Sequence, residues 1–136
     1  MKTEKMNRKV VLSTLWIFVT LNYLYCDVMS LMDAGLLKQY IAGTVNGMSM
    51  TGGFLLGSAI LMEIPIAMIL LSRILRYKAN RWINIIAAII MTVVQTATLF
   101  AGTPTPYYIF CSVIEIAGTA FIFWYALQWR EKEAIN

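Results

Sequence analysis

The sequence predicts an all-α membrane protein: a bundle of four transmembrane helices, N-in/C-in, with a short extracytoplasmic amphipathic helix between helices one and two. Three observations lead there. The 136 residues are 60% hydrophobic and only 13% charged, with a mean hydropathy of +0.69, which is too apolar for a soluble domain of this size. Four apolar stretches, at about 10–29, 52–73, 82–101 and 106–129, can each cross a hydrocarbon core of roughly 30 Å at ~1.5 Å per residue. The cations alternate along the chain, as the positive-inside bias requires. Lys2, Lys5, Arg8 and Lys9 precede helix one, and Lys38 alone lies in the first loop. Arg73, Arg76, Lys78 and Arg81 surround the second loop, the third has none, and Arg130 and Lys132 are in the tail. The whole chain, 1–136, reads as one multi-pass domain of the cell (inner) membrane.

The first span follows a basic start but no A-x-A-like cleavage site, so it reads as a retained helix rather than a signal peptide. In the loop 30–51, Asp33 can cap a short helix that carries Leu36, Leu37, Tyr40 and Ile41 at helical spacing, and Gly43 can end it. Helix two carries Glu63 near its middle and Pro65 two residues on, which removes a backbone donor and frees the Leu61 carbonyl. A short linker around Arg76–Arg81 makes helices two and three antiparallel neighbours. The run Gly102-Thr103-Pro104-Thr105-Pro106 breaks the chain before helix four. Trp16, Trp82, Trp124 and Trp129 fall toward the cytoplasmic ends and Tyr107 and Tyr108 toward the outer end, as interfacial belts would.

Composition also excludes. The net charge of +4 sits beside hydrophobic spans, which fits topology and anionic headgroups and leaves no nucleic-acid-binding domain. The absence of histidine removes the commonest transition-metal ligand and neutral-pH acid–base group, and no metal or other cofactor is expected. Cys26 and Cys111 are far apart in sequence, form no C-x-x-C and read as packing residues.

The polar residues within the spans concentrate in the outer half. Asn22, Tyr23 and Asp27 lie there in helix one, Glu63 at mid-depth in helix two, Gln95 in the outer half of helix three, and Glu115 at mid-to-outer depth in helix four. Trp16, Thr20, Tyr23 and Asp27 share one face of helix one. Asn84, Ala88, Met91 and Gln95 share one of helix three, and Cys111, Glu115, Gly118 and Ile122 one of helix four. Such stripes turn inward, since lipid offers polar groups no partners. The inner halves are expected to be nearly devoid of polar groups.

A charged side chain at mid-membrane costs ~2.5–3.5 kcal/mol on insertion scales, and no lysine or arginine lies deep in the spans to offset it. The simplest assembly therefore gathers Tyr23, Asp27, Glu63, Gln95 and Glu115, with Asn22 beside them, around one cavity open to the outside. Glu63 and Glu115 together are expected to retain a proton, because two ionised carboxylates in a low-dielectric site repel. The plainer alternative for Asn22 and Gln95 is an interhelical hydrogen bond. Gly53-x-x-x-Gly57 permits close helix approach, within the bundle or in a homo-oligomer.

The runs LWIFVTLNYLYCDVMSLMD (Leu15–Asp33) and GGFLLGSAILMEIPIAMILLSRIL resemble a family of small bacterial four-helix membrane proteins without assigned function. That resemblance covers nearly the whole chain and implies the fold but no activity. In size the chain is also similar to the small multidrug resistance transporters, which carry a glutamate in helix one where this chain has Asp27 near the outer end. Its general layout is similar to DoxX-like proteins and the sterol-isomerase group. The leading expectation is a protein of the lipid bilayer that binds, or transports, a small partly apolar or cationic ligand in an acid-lined outward cavity. The alternatives are an intramembrane acid–base enzyme of isomerase type, which would need an unusual acid pair, and a non-catalytic accessory subunit. No catalytic residue is assigned.

Overall fold

The structure, a computed structural model, describes residues 6–134. Lys2 and Lys5 of the N-terminal cation cluster lie outside the described residues. In chain order come α1 (Arg8–Met32), α2 (Ala34–Ile41), β1 (Thr44–Val45), β2 (Met48–Ser49), α3 (Gly52–Ile74), α4 (Tyr77–Leu99), α5 (Pro106–Leu127) and α6 (Glu131–Ala134). Four of these helices, α1, α3, α4 and α5, are long and apolar enough to cross a membrane, which marks a multi-pass membrane protein.

Local chemistry sets most of the boundaries. Asn7 caps α1 by accepting from the Lys9 amide, and the Thr51 hydroxyl caps α3 by accepting from Phe54. The Asp33 carboxylate accepts the Gly35 and Leu36 amides and so caps α2, while Gly43, at φ 74°, follows that helix in the left-handed conformation. Pro106 opens α5 at the position where a missing amide costs nothing. Pro65 stands inside α3, which continues through it. α4 begins at Tyr77, earlier than expected, leaving a linker of only Leu75 and Arg76.

α1 packs against α3 and α5, and α4 packs chiefly against α5; α3 and α4 meet far less. The four spans thus form a ring in which α1 faces α4 diagonally. Down its axis Leu12, Trp16, Val19, Ala88, Met91 and Ile122 interlock, all fully or nearly fully buried. The first half of α3 leaves this core: every residue from Thr51 to Ile60 is exposed.

The linker end holds a buried polar network that the sequence reading missed. Trp16 Nε1 donates to Asn84 Oδ1 at 2.7 Å, Ser72 donates to the same oxygen at 3.2 Å, and Asn84 Nδ2 donates to Asn80 Oδ1 at 2.7 Å. Asn80 Nδ2 in turn donates to the Ser72 carbonyl at 2.6 Å. This half is therefore not devoid of polar groups: it ties α1, α3 and α4 together through bonds that satisfy one another. Trp16 and Trp129 are buried rather than interfacial, whereas Trp82 and Trp124 are exposed as a belt requires. Arg8 donates to the Tyr125 carbonyl and Arg81 to those of Ala126 and Leu127, so cations at this end also cap the C-terminus of α5.

Candidate functional site

At the α2 end the divergence of α3 opens a cleft of about 620 Å³ between α1, α3 and the α4–α5 turn. Asp27 and Ser30 of α1, Phe54 and Ser58 of α3, and Thr98 and Tyr108 from the α4–α5 side line its walls. Its roof has two parts. Leu36 and Tyr40 of α2 cover one side, and the β1–β2 hairpin covers the other with Val45, Asn46 and Met48.

The hairpin pairs Thr44 with Ser49 and Val45 with Met48, around an Asn46-Gly47 turn in which both residues have positive φ, 48° and 80°. This is the mirror-image turn whose twist matches a two-stranded ribbon, and Asn-Gly is its strongest sequence signal. The loop expected over 30–51 thus contains a hairpin after its short helix, because the Asn-Gly pair supplies the turn locally. The hairpin tip is seated: a Cβ on Gly102 would lie 2.9 Å from Asn46 Cγ, so the α4–α5 turn receives Asn46 only because residue 102 has no side chain. On the other side the Gln39 Oε1 atom accepts the Asn46 amide at 2.8 Å, tying the hairpin to α2.

Among the described residues, Asp27 is the only carboxylate lining the cleft, and it has no hydrogen-bond or ion-pair partner. Tyr40 and Tyr108 line the same cleft. Burial first, and then the charge of Asp27, push the Tyr40 phenol above its ordinary value of 10.0, with Tyr107 and Tyr108 contributing next. The carboxylate and the two cleft tyrosines, Tyr40 and Tyr108, therefore lie together under the roof.

Beneath the cleft lies a polar floor. The Tyr108 hydroxyl donates to Thr98 Oγ1, Thr98 to the Gln95 carbonyl, and Gln95 Nε2 to the Ser112 hydroxyl, each at 2.8 Å. Glu115 is 1% exposed, and its Oε1 is enclosed with no hydrogen-bond partner, as is the hydroxyl of Tyr23. Orphaned buried polar atoms cost roughly 1–3 kcal/mol each and are uncommon enough to call for a reason. Asp27, Tyr23 and Cys26 all lie within electrostatic reach of Glu115, and Cys26 stands beside Cys111. Residues distant in sequence on α1 and α5 are thus brought into one cluster. Gly118 allows this approach, since a Cβ there would meet Val19 Cγ2 of α1 at 2.7 Å.

Of the six residues proposed from sequence, the structure brings together Tyr23, Asp27, Gln95 and Glu115. It does not bring Glu63 or Asn22 to them. Glu63 is exposed on α3, away from the core-facing Pro65 and Met68, so it shares neither a cavity nor a proton with Glu115. Asn22 donates to the Phe18 carbonyl one turn back and lines a separate shallow groove on the outer side of α1. The residues that sequence reasoning missed are Tyr40, Tyr108, Ser58 and the hairpin. No group of three or more potential metal-ligating side chains is present among the described residues.

The chain belongs to a family described as a family of unknown function (DUF6326), whose model matches residues 2–136. No curated protein and no solved structure matches it.

Proposed function

We propose that this member of a family without assigned function binds a small amphiphile with a cationic head in the cleft at the α2 end. The reading is carried by one observation: the unpartnered Asp27 carboxylate shares with Tyr40 and Tyr108 a cleft whose other walls are largely apolar. An organic cation gains there on two counts. The carboxylate attracts its charge in a setting less screened than water, and the tyrosine faces attract it through their quadrupoles. Phe54, Leu55, Leu31 and Met50 offer apolar surface to its tail. Because α3 parts from α4 at this end, the tail has a path from the lipid, and the hairpin roof lies over the head.

Glu115 and Tyr23 add a second layer. Their unpartnered oxygens lie below the floor, within reach of Asp27. A proton or water entering the cluster would find acceptors already in place, as coupled transport requires. The Gln95–Ser112 and Tyr108–Thr98 bonds separate the two layers, so a side-chain rotation of Tyr108 is the gate this reading implies.

Binding of tetraphenylphosphonium to protein in lipid nanodiscs, measured against empty nanodiscs, tests the proposal. The expected result is saturable binding that Asp27→Asn weakens at least tenfold, equivalent to about 1.4 kcal/mol, while Glu63→Gln leaves it unchanged. Binding that is no greater than to empty nanodiscs, or that is indifferent to Asp27→Asn, would sink it. The accessory-subunit alternative would then be the better one.

A further inference from the structure

We propose that α3 is the interface of a parallel, two-fold symmetric homodimer, with Glu63 of one copy meeting Glu63 of the other at mid-membrane. The proposal is independent of the cleft. Gly53, Leu56, Ile60, Glu63, Ala67, Leu70 and Ile74 recur at alternating steps of three and four along α3. That is the 3.5-residue repeat by which two helices wind around each other with knobs in holes. All but the half-buried Ala67 are exposed; Leu56, Ile60, Leu70 and Ile74 are each more than 60% so. Phe54 and Ser58 face the cleft from another side of the same helix, and Pro65, Met68 and Ser72 face the core. The seam lies on the side of α3 opposite these, used neither by the bundle nor by the cleft, on the least buried of the four spans.

What covers this seam is decided by the residue at its centre. Glu63 stands eleven residues from each end of α3, or about 16 Å at 1.5 Å per residue, too far for its short side chain to reach either surface. Lipid offers it nothing, and a carboxyl group exposed there must find a partner. No lysine or arginine lies in the central part of any span. A second copy supplies the match: a carboxyl group carrying its proton both donates and accepts, so two of them across a two-fold axis satisfy each other reciprocally. One polar residue in an otherwise apolar seam also fixes register. At the α2 end, a Cβ on Gly53 would touch only Thr51 Oγ1 of its own chain, at 3.9 Å, and one on Gly57 would touch nothing within 4 Å. The small pair thus leaves the helix backbone open to close approach by a neighbour.

Energy transfer between donor- and acceptor-labelled copies in vesicles, read while the protein is diluted with lipid, measures the association. Cysteine cross-linking at Leu56, Ile60 and Leu70 maps it, with Val93 and Phe110 on other helices as controls. The expected result is a dimer that cross-links along the seam and not at the controls. Glu63→Ala should weaken association about tenfold, the size of an interhelical hydrogen-bonded pair in model helices. Glu63→Gln, whose amide also donates and accepts, should hold it within about threefold. A monomer at every dilution, as a lipid-covered face or one reserved for a different protein's cationic helix would give, overturns the proposal. So does a dimer that cross-links through another helix, or one indifferent to Glu63→Ala.

Discussion

Glu115 and Glu63 look alike in the sequence, each a lone acid in an apolar span, yet one is sealed in the core and the other faces outward. Their neighbours decide. Glu115 repeats with Cys111, Ser112, Thr119 and Ile122, all buried, whereas Glu63 repeats with Leu56, Ile60 and Leu70, all exposed. The close approach that buries Glu115 depends on Gly118. Gly118→Val should force α1 from α5 at Val19 and cost about 1–3 kcal/mol, read as a lowered unfolding midpoint in micelles; an unchanged midpoint would show that the helices can part there freely. Tyr40 gives a titration test. Its raised value means that the folded state holds the phenolic proton more tightly than the unfolded chain does. The corresponding stability is complete below about pH 10 and is lost as pH rises through the folded value. The tyrosinate absorbance of the parent minus that of Tyr40→Phe should therefore titrate late, and Asp27→Asn should bring it earlier by removing the neighbouring charge.

At the scale of elements, the α2–hairpin unit is a roof held by few bonds. Its tip rests on Gly102 through Asn46 and is tied to Gln39 of α2. Gly102→Ala places a methyl against a side chain that can move, so the roof should lift rather than the bundle unfold. Faster amide exchange at residues 44–49 with an unchanged melting transition is the expected outcome, and unchanged exchange would mean that the hairpin is held elsewhere. α3 is the other element whose role the fold reveals. Its polar network residue Ser72 and its core residues Pro65 and Met68 anchor only the linker-end half. The half that is free of those anchors bounds the cleft.

For the molecule as a whole, the alternating cations support an orientation with the cleft on the extracytoplasmic side. Cysteines introduced at Lys38 and at Lys132, with Cys26 and Cys111 replaced by alanine, test it in intact cells. An impermeant maleimide should label Lys38→Cys and spare Lys132→Cys; the reverse, or equal labelling, would invert or remove the assignment. What the sequence by itself determined was the count of spans, the cap that starts α2 and the inward stripes. These follow from hydrophobic length, from the Asp33 cap and from 3.6-residue periodicity, all properties of contiguous segments. The Asn46-Gly47 turn was equally local and was legible. Only tertiary structure could decide that Glu63 faces away from Glu115, that Cys26 and Cys111 adjoin, and that Trp16 reaches Asn84 across the bundle. A helix that is apolar on nearly every side, as α3 is, does not declare in its own sequence which face its neighbours will take. That choice is made by which helices it touches, and here α1 takes one face of α3 while α4 leaves another open.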